Sequence, residues 1–385
     1  MIDWTASMKQ SFEFYKVNPS TWEKDSEKLT TVKSCTINRD SSAETLGSAT
    51  FELTESIGEC YIRVYLVATQ NGVTERFALG TFLVQTPIFS FDGKVSASSA
   101  DAYTPLIELK EKPVPLGYTI RKYPLNYDAD ADDPMPPILL DTKTDIIDLV
   151  ATKPLLWQAA ELVRDSARAP VIYQNTDDND TKLYQNFVAD PNDTWLSYLS
   201  DLVAHAKHTF TLDELGQIGF APIRDITSLQ PVWTYSDDNS SILYPDISLD
   251  RDLYNIPNVV NVTYSKGNRH FTSTKTNDDP NSPTSTISRG REIVHRVTNP
   301  GFQGLPSQEY VDEYAVQLLR DLSTIEHTIT YSHGYCPVRL FDCVRLNYNR
   351  ANLTNIKAKV IRQTIECTTS CRVTETAVYT SSLWG

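Results

Sequence analysis

Four cysteines near the carboxyl end have residue types that could bind a metal or exchange electrons. Cys336 and Cys343 flank the stretch PVRLFD, and Cys367 and Cys371 follow in the stretch ECTTSC. A structural zinc site needs several thiolate or imidazole ligands close together, usually on tight Cys-x-x-Cys turns. These four cysteines form no such turn. Their spacing alone therefore does not predict a zinc centre.

The residues around these cysteines indicate strands and turns. The side chains after Cys343 alternate between apolar and polar, which predicts a strand with Cys343 on the face opposite the apolar set. Thr and Ser residues around Cys367 and Cys371 favour extended structure. Extended residues four positions apart lie about 13 Å from each other, too far for a disulfide without a turn. We expect reduced, semi-buried thiols, and the sequence leaves open whether Cys336 and the other three come together.

Two further patterns imitate metal sites. His205 and His208 have His-x-x-His spacing, but no third ligand with zinc-site spacing accompanies them, so we interpret both as surface histidines of one helix. The run DADADD places Asp128, Asp130 and Asp132 at alternate positions, like the start of a calcium loop. It lacks the glycine at the sixth position and the glutamate at the twelfth. A solvated acidic loop is the better interpretation, and no metal, cofactor or catalytic residue is predicted.

Motifs and charge exclude several function classes. The sequence has no P-loop and no GxGxxG, GxSxG or HExxH motif, so no enzyme is predicted. Asp and Glu number 49 against 35 Lys and Arg, a formal net charge of -14. Such a surface repels phosphate, which argues against specific nucleic-acid binding but suits a surface that DNA slides past. No apolar run has the length of a signal peptide or a membrane span.

The elements that must position these residues divide the chain of 385 residues into three regions. Period-two patterns predict an antiparallel β-domain over residues 1–110, a small barrel or sandwich, and QNG at 70–72 is a hairpin signal. An α+β region over 111–235 begins with a Pro- and Asp-rich linker. Strands return over 236–385, around one amphipathic helix at about 307–326. The fold class is therefore mainly β with an α/β insert.

Local signals predict where the helices and turns lie. The first helix of the middle region has Thr152 as N-cap and Pro154 in its first turn, and Leu215-Gly216 turns a later hairpin. The helix at 307–326 is capped by Ser307, and its buried face extends to Ile325. The polar stretch at 266–291 is too polar to bury side chains and is predicted to be a projecting loop or a long hairpin.

The order of these elements resembles the tail hub and baseplate hub proteins of tailed bacteriophages and contractile injection systems. TWLSYLSDLVAHAKHTFTLDELGQIGFAPI is similar to a helix and hairpin of that family, and NVVNVTYS to a strand that enters its last β-domain. Gly80, Phe82 and Val84 match a Gly-x-Phe-x-Val phrase of its first barrel. One departure is Phe341, which stands before Asp342 where the family usually has glycine. Because phenylalanine is strained at positive φ, we expect that corner to be built differently.

The resemblance implies a structural virion protein. Hubs of this kind are trimers in which two β-barrel domains per chain form a pseudo-sixfold ring, with a central channel for DNA ejection. The ring would join the sixfold tail tube, or a distal tail protein, to a threefold spike, fibre or tail-tip protein. The middle region would project toward the tail tip. The expected location is the tail tip or baseplate, after assembly in the cytoplasm of the bacterial host.

Two other functions remain open from the sequence. A carbohydrate- or receptor-binding β protein of a tail tip would account for the 20 Tyr, the 6 Trp and the polar stretch at 266–291. A hydrolase that uses dispersed carboxylates is the third hypothesis, although no acid pair is identifiable without geometry.

Overall fold

A computed structural model describes residues 2–22, 25–55, 57–91, 96–120, 154–173, 181, 183, 186–238, 241–251, 253, 256–266, 269–301 and 307–382. Within these ranges the protein is mainly β, as the sequence predicts. The calcium-like run at Asp128, Asp130 and Asp132 and the predicted N-cap Thr152 lie outside the described residues. No helix of the described part is long and apolar enough to cross a membrane.

The strands of the amino-terminal and middle regions are β1 (Lys9–Val17), β2 (Asp25–Lys28), β3 (Val32–Asp40), β4 (Gly47–Leu53), β5 (Cys60–Gln70), β6 (Val73–Phe91), β7 (Ser96–Tyr103), β8 (Thr119–Ile120), β9 (Val171–Ile172), β10 (Phe187–Val188), β11 (His208–Leu212) and β12 (Ile218–Pro222). The later strands are β13 (Trp233–Ser236), β14 (Leu243–Arg251), β15 (Val259–Lys266), β16 (Arg269–Thr276), β17 (Val294–Thr298), β18 (Thr324–Gly334), β19 (Cys343–Tyr348), β20 (Leu353–Cys367) and β21 (Arg372–Ser382). The helices are α1 (Ile107–Glu111), α2 (Leu155–Ser166), α3 (Trp195–His205), α4 (Thr286–Arg289) and α5 (Gln308–Leu322).

One sheet of 13 strands contains strands from both β-rich regions of the chain. Its path runs β14-β18-β21-β20-β3-β4-β7-β6-β5-β1-β2, and β19 and β13 branch from β20. Strands β3 and β20 pair antiparallel from Cys35↔Cys367 to Asp40↔Arg362 and join the two regions edge to edge. Among the described strands this path is open. The expectation of two separate closed barrels is therefore not confirmed, and the two regions share one sheet.

The two halves of this sheet repeat the same strand order. In the amino-terminal half the order is β1-β5-β6-β7-β4-β3, and in the carboxyl-terminal half it is β13-β19-β20-β21-β18-β14. If the six strands of each half are numbered along the chain, both orders read 1-4-5-6-3-2. The first link differs, because β1 and β5 are antiparallel whereas β13 and β19 are parallel. The other four links are antiparallel in both halves.

The repeat extends to the register. A β-bulge lies in β6 between Val84 and Thr86 and in β20 between Val360 and Arg362, at the same place in each half. One row of cross-strand neighbours beside each bulge runs over four strands, as Val84–Ala102–Ala49–Ile37 in one half and Val360–Ala377–Ile329–Leu249 in the other. When the two halves are aligned in this way, CTINR at 35–39 is equivalent to ISLDR at 247–251. The final arginine is shared and the three residues before it are chemically similar. The structural repeat is therefore accompanied by a short stretch of sequence similarity.

The middle region packs against one face of the amino-terminal half. Tyr61 and Leu83 belong to the same buried core as Leu156 of α2 and Leu199 of α3. Arg63 is 2% exposed in this contact, and its guanidinium donates to the main-chain oxygen of Leu215 at 3.0 Å. Strand β5 has few exposed side chains because the middle region covers one of its faces and the core of the amino-terminal half covers the other. The predicted hairpin is confirmed, with Leu215 and its glycine neighbour between β11 and β12.

Three local predictions need correction. Pro154 is the N-cap residue of α2 rather than a residue of its first turn, because the helix begins one position later. The predicted helix at 307–326 does begin after the cap Ser307 but ends at Leu322. Ile325 instead lies in β18 with 2% exposure. The β-branched residues from position 324 onward favour a strand, and pairing with β21 outweighs the helical periodicity.

The polar stretch at 266–291 agrees with its prediction in part. Its first part is a hairpin, because β15 and β16 pair over eight residue positions. The part that follows buries polar side chains, which the sequence analysis excluded. Asn277 and Thr284 are both 0% exposed, and Asn258 donates from its amide to the main-chain oxygen of Thr284 at 3.1 Å. Hydrogen bonds satisfy these groups, so polarity did not prevent their burial.

Candidate functional site

The junction of β3 and β20 is the candidate functional site, because it joins the two repeated halves. Cys35 and Cys367 face each other there with exposures of 2% and 4%, beside Ile37 and Ile365. The hydrogen bond with Cys35, together with burial, raises the pKa of the Cys367 thiol. At the far end of the junction, the Arg362 Nε atom lies 2.9 Å from the Oδ2 atom of Asp40.

A buried polar network lies beside this junction. Glu375 is 0% exposed and accepts hydrogen bonds from the hydroxyls of Tyr331 at 2.8 Å and Tyr235 at 3.1 Å. Its other carboxylate oxygen accepts from the amide of Gln363 at 2.5 Å and lies 3.4 Å from His333 Nε2. Four donors around one carboxylate compensate for the loss of water, so the network is a satisfied one.

His333 and Glu375 form a buried ion pair. Burial alone would lower the pKa of His333, but the charge of Glu375 outweighs it and raises that pKa from 6.5 to about 10. Burial would likewise raise the pKa of Glu375, but the charge and hydrogen bond of His333 hold it below its ordinary value. The other ring nitrogen, Nδ1, lies 2.6 Å from the main-chain oxygen of Gly334 and donates to it. The imidazolium therefore has an acceptor at each nitrogen.

Arg39 connects this network to the other half of the sheet. Its guanidinium donates to the Gln363 side-chain oxygen at 2.9 Å and to the main-chain oxygen of Leu79 at 2.7 Å. Gln363 in turn donates to Glu375. A chain of hydrogen bonds thus runs from the amino-terminal half into the core of the carboxyl-terminal half. This arrangement fixes how the two halves are oriented relative to each other.

The network contains the residue types of a nucleophilic triad. Cys336 lies 3.1 Å from the Tyr235 hydroxyl and 3.9 Å from His333 Nδ1, and His333 is paired with Glu375. Exposure of these side chains is at most 2%, so substrate has no access to the thiol. A catalytic cysteine needs partial exposure to its substrate. The arrangement therefore holds the core together rather than performing catalysis.

None of the predictions from the sequence included this network, although the strand patterns contain a signal for it. Glu375 lies two residues from both Val373 and Ala377, so its position in the period-two pattern is on the apolar face of β21. His333 continues the row of Ile329 and Tyr331 along β18 in the same way. A charged residue at an inward position of a strand requires a buried partner. Two such positions in neighbouring segments could have indicated the pair.

The Arg339–Asp342 corner has the left-handed backbone that the sequence analysis did not expect. Phe341 adopts φ 72°, so the corner keeps the backbone conformation that favours glycine even though phenylalanine occupies it. The Asp342 carboxylate accepts from the Arg339 main-chain N–H at 2.8 Å, and the Lys359 ammonium lies 5.3 Å from the Phe341 ring. The expectation of a different corner was therefore wrong. Contacts of the ring and the carboxylate offset a backbone strain of about 1–3 kcal/mol.

A cavity of about 560 Å³ lies between this corner, the amino-terminal half and the β11–β12 hairpin. Its charged lining includes Arg39, Glu214, Arg339, Asp342 and Lys359. Glu214 and Arg339 are ion-paired across it at 2.6 Å. Burial raises the pKa of Asp342 and lowers that of Lys359, so both neutral forms are favoured relative to water. Residues of all three regions line this cavity.

The four carboxyl-terminal cysteines do not come together as one site. Cys336 belongs to the core of the carboxyl-terminal half, while Cys367 and Cys371 belong to the core beside the junction. All six cysteines of the chain are free, and the described residues contain no group of three potential metal ligands. Cys343 begins β19 as predicted but is 2% exposed. Extended structure through ECTTSC was wrong, because a turn follows Cys367.

The two histidines of the His-x-x-His pattern lie in different elements. His205 ends α3 and is exposed, as predicted. His208 begins β11 and is only 8% exposed, so its assignment to the helix surface was wrong. Its Nδ1 atom is 2.7 Å from the main-chain oxygen of Ala206. Lys207, at φ 57°, reverses the chain between the two histidines and ends their helical relation.

Aromatic side chains of the described residues serve the core more than the surface. Trp22 packs edge-on against Tyr61, and Trp195 against Tyr118, at ring-centroid distances of 4.8 and 5.0 Å. Both tryptophans are buried. Phe91 is an exception, with 64% of its surface exposed. Sugar platforms need exposed rings, so these contacts favour a packing role for most of the aromatic residues.

Comparisons with known proteins identify the fold. No protein-family model matches the sequence, and no curated protein matches it. Among solved structures, the tail protein from Neisseria meningitidis MC58 is similar with a TM-score of 0.59 and 11% identity, over 98% of each chain. The 43 kDa tail protein of prophage MuSo2 from Shewanella oneidensis is similar with a TM-score of 0.55 and 10% identity, over 96% of this chain and 98% of that one. The chain therefore has a phage tail-protein fold, as its sequence resemblance predicts.

Proposed function

We propose that this chain is a structural, non-enzymatic hub of a viral tail tip or baseplate. The fold that it shares with two tail proteins, one of them from a prophage, over nearly the whole length supports this role. The buried position of the Cys336, His333 and Glu375 set supports a non-enzymatic role, because none of these groups is accessible. The protein would be assembled in the cytoplasm of the bacterial host and would act in the virion.

The repeated strand order carries this proposal. Residues 1–110 and 236–385 supply two units with the same order, the second beginning slightly earlier with β13, and residues 111–235 form the region between them. If the two units take equivalent places in a ring, three chains supply six similar units. Such a ring has true threefold symmetry and approximate sixfold symmetry. It could bind a sixfold tail tube, or a distal tail protein, on one side and a threefold spike, fibre or tail-tip protein on the other.

The charge of the chain supports a channel through this ring. With a formal net charge of -14, the surface repels the phosphates of DNA. DNA that leaves the virion through the bore would then slide without binding. Specific nucleic-acid binding is not part of the proposed role.

Size-exclusion chromatography with light scattering tests the proposed trimer. Three copies of the 43.4 kDa chain have a mass of about 130 kDa, and particle images should contain a ring with a central opening. Averaging of those images without imposed symmetry should give six similar lobes around the opening. A mass of one chain at tens of micromolar protein, or a ring with lobes of two unrelated shapes, would contradict the proposal.

A further inference from the structure

Strands β3 and β20 meet edge to edge at the internal junction. Their equivalents, β14 and β6, have edges that are left unpaired within the described part of the chain. Beyond its pairing with β19, the edge of β20 is covered by β3. In the amino-terminal half, β6 corresponds to β20, and its pairing with β5 ends at Val84. In the carboxyl-terminal half, β14 corresponds to β3 and ends the path of the sheet. Among the described strands, none covers residues 86–91 of β6 on the β5 side or the outer edge of β14.

Apolar residues at these two edges are exposed where their equivalents are buried. Ile37 of β3 is 0% exposed, whereas Leu249, which takes its place in β14, is 47% exposed. Cys367 of β20 is 4% exposed, whereas Phe91, the same number of residues after the bulge of β6, is 64% exposed. Ile88 on the same segment of β6 is 53% exposed. Exposed apolar residues at an unpaired strand edge mark a place for another chain.

We propose that β14 of one copy pairs with residues 86–91 of β6 in a second copy. The pairing is antiparallel and repeats the register of β3 with β20, which places Ile247 opposite Phe91 and Leu249 opposite position 89. The interface uses two different edges, so it is head-to-tail and adds one copy after another until the ring closes. This inference rests on the proposed ring and specifies the subunit contact that forms it.

Residues 86–91 of β6 differ from the equivalent residues of β20 in ways that suit a contact between subunits. Pro87 has no backbone N–H, so this ladder has fewer hydrogen-bond donors than the internal one. The sequence has Thr86 where the internal junction has Arg362, so the ion pair with Asp40 has no counterpart at that position. Phe91 instead supplies a larger apolar surface than Cys367. The contact would therefore depend mainly on apolar burial, and it would form after each chain has folded.

A designed disulfide tests the register. In a Cys60→Ser background, which removes the half-buried native thiol, the pair Phe91→Cys and Ile247→Cys takes the places of Cys367 and Cys35. Mild oxidation should give covalent two-chain and three-chain species on a non-reducing gel. When each substitution is on a separate chain and the chains are mixed, oxidation should give two-chain species only. Phe91→Cys with the exposed Ile287→Cys serves as the control and should give no cross-link.

Charge substitution tests the contact without a cross-link. Leu249→Asp and Phe91→Asp should each reduce the mass in light scattering from that of three chains to that of one chain. Ile287→Asp is the matched control, since Ile287 is 62% exposed and lies on α4, outside both edges. A trimer that survives Leu249→Asp and forms no disulfide between positions 91 and 247 would overturn this interface and leave the proposed ring intact. A wild-type protein that is a single chain would overturn both.

Discussion

The buried ion pair of His333 and Glu375 makes the stability of the protein depend on pH in a defined direction. A histidine whose pKa rises from 6.5 to about 10 on folding contributes stability that is fully present below pH 6.5. This contribution is lost as the pH rises from 6.5 toward 10. The difference of about 3.5 between the two pKa values corresponds to about 5 kcal/mol. Removal of one partner of a buried ion pair typically costs about 3–5 kcal/mol, so we expect a loss of that size when either partner is removed.

The substitution Glu375→Gln removes the charge and keeps the size of the side chain. Because the amide cannot compensate for the imidazolium, His333 should become neutral at pH 7, and the variant should lose about 3–5 kcal/mol of unfolding free energy. His333 should then contribute nothing to the change in stability between pH 6.5 and 10, so the variant should lose less stability over that range than wild type. Urea unfolding of wild type and variant at pH 7 and pH 10, under reducing conditions, measures both effects. Glu366→Gln, at an exposed position of β20, is the matched control and should change stability by less than about 0.5 kcal/mol.

Two outcomes would contradict the stabilising role of this ion pair. If Glu375→Gln loses less than about 1 kcal/mol at pH 7, the ion pair does not contribute as the geometry indicates. If wild type and variant lose equal stability between pH 7 and pH 10, other groups cause the alkaline loss. The second comparison matters because other groups also titrate in that range, and only the difference between the two proteins belongs to this pair.

Three further predictions concern backbone conformation, helix capping and thiol access. Gly216→Ala should lose about 1–3 kcal/mol in urea unfolding, because its φ is +77° and a Cβ atom there would lie 2.7 Å from the Thr81 Cβ atom; an unchanged midpoint would contradict this. Ser307→Ala should lose about 1 kcal/mol by the same assay, since its hydroxyl accepts from the Tyr310 N–H at 3.2 Å, and Ser307→Asp should restore most of that loss. In native protein a thiol reagent should modify Cys60 well before the other five cysteines, which are buried; mass spectrometry of partly labelled protein would detect any faster site.

The internal junction and the proposed subunit contact illustrate how a repeated unit can diverge. Inside the chain, the β3 edge has a polar network through Arg39 and Gln363, which is possible because both halves fold together. At the open ends, the equivalent strands present Leu249 and Phe91. A contact that forms between folded chains gains from apolar area, whereas a charge buried there would need a matched partner on the other chain.

Short-range patterns in the sequence were sufficient to predict many of the local elements. The period-two runs of the first third, the QNG turn, the cap at Ser307 and the hairpin at Leu215 are all present. It also carried enough of the element order to indicate a tail-protein fold. These features depend on residues close in the chain, so a local pattern is sufficient to predict them.

Which strands pair with each other became clear from the folded chain alone. Residues 35–40 pair with residues 362–367, more than 300 positions away, and no local pattern encodes that contact. The same holds for the burial of His208, the partners of Glu375 and the left-handed backbone of Phe341, because each depends on neighbours supplied by distant segments. The stretches CTINR and ISLDR were both present in the sequence. Because they share a single arginine, they are recognised as a repeat only after the register of the two half-sheets aligns them.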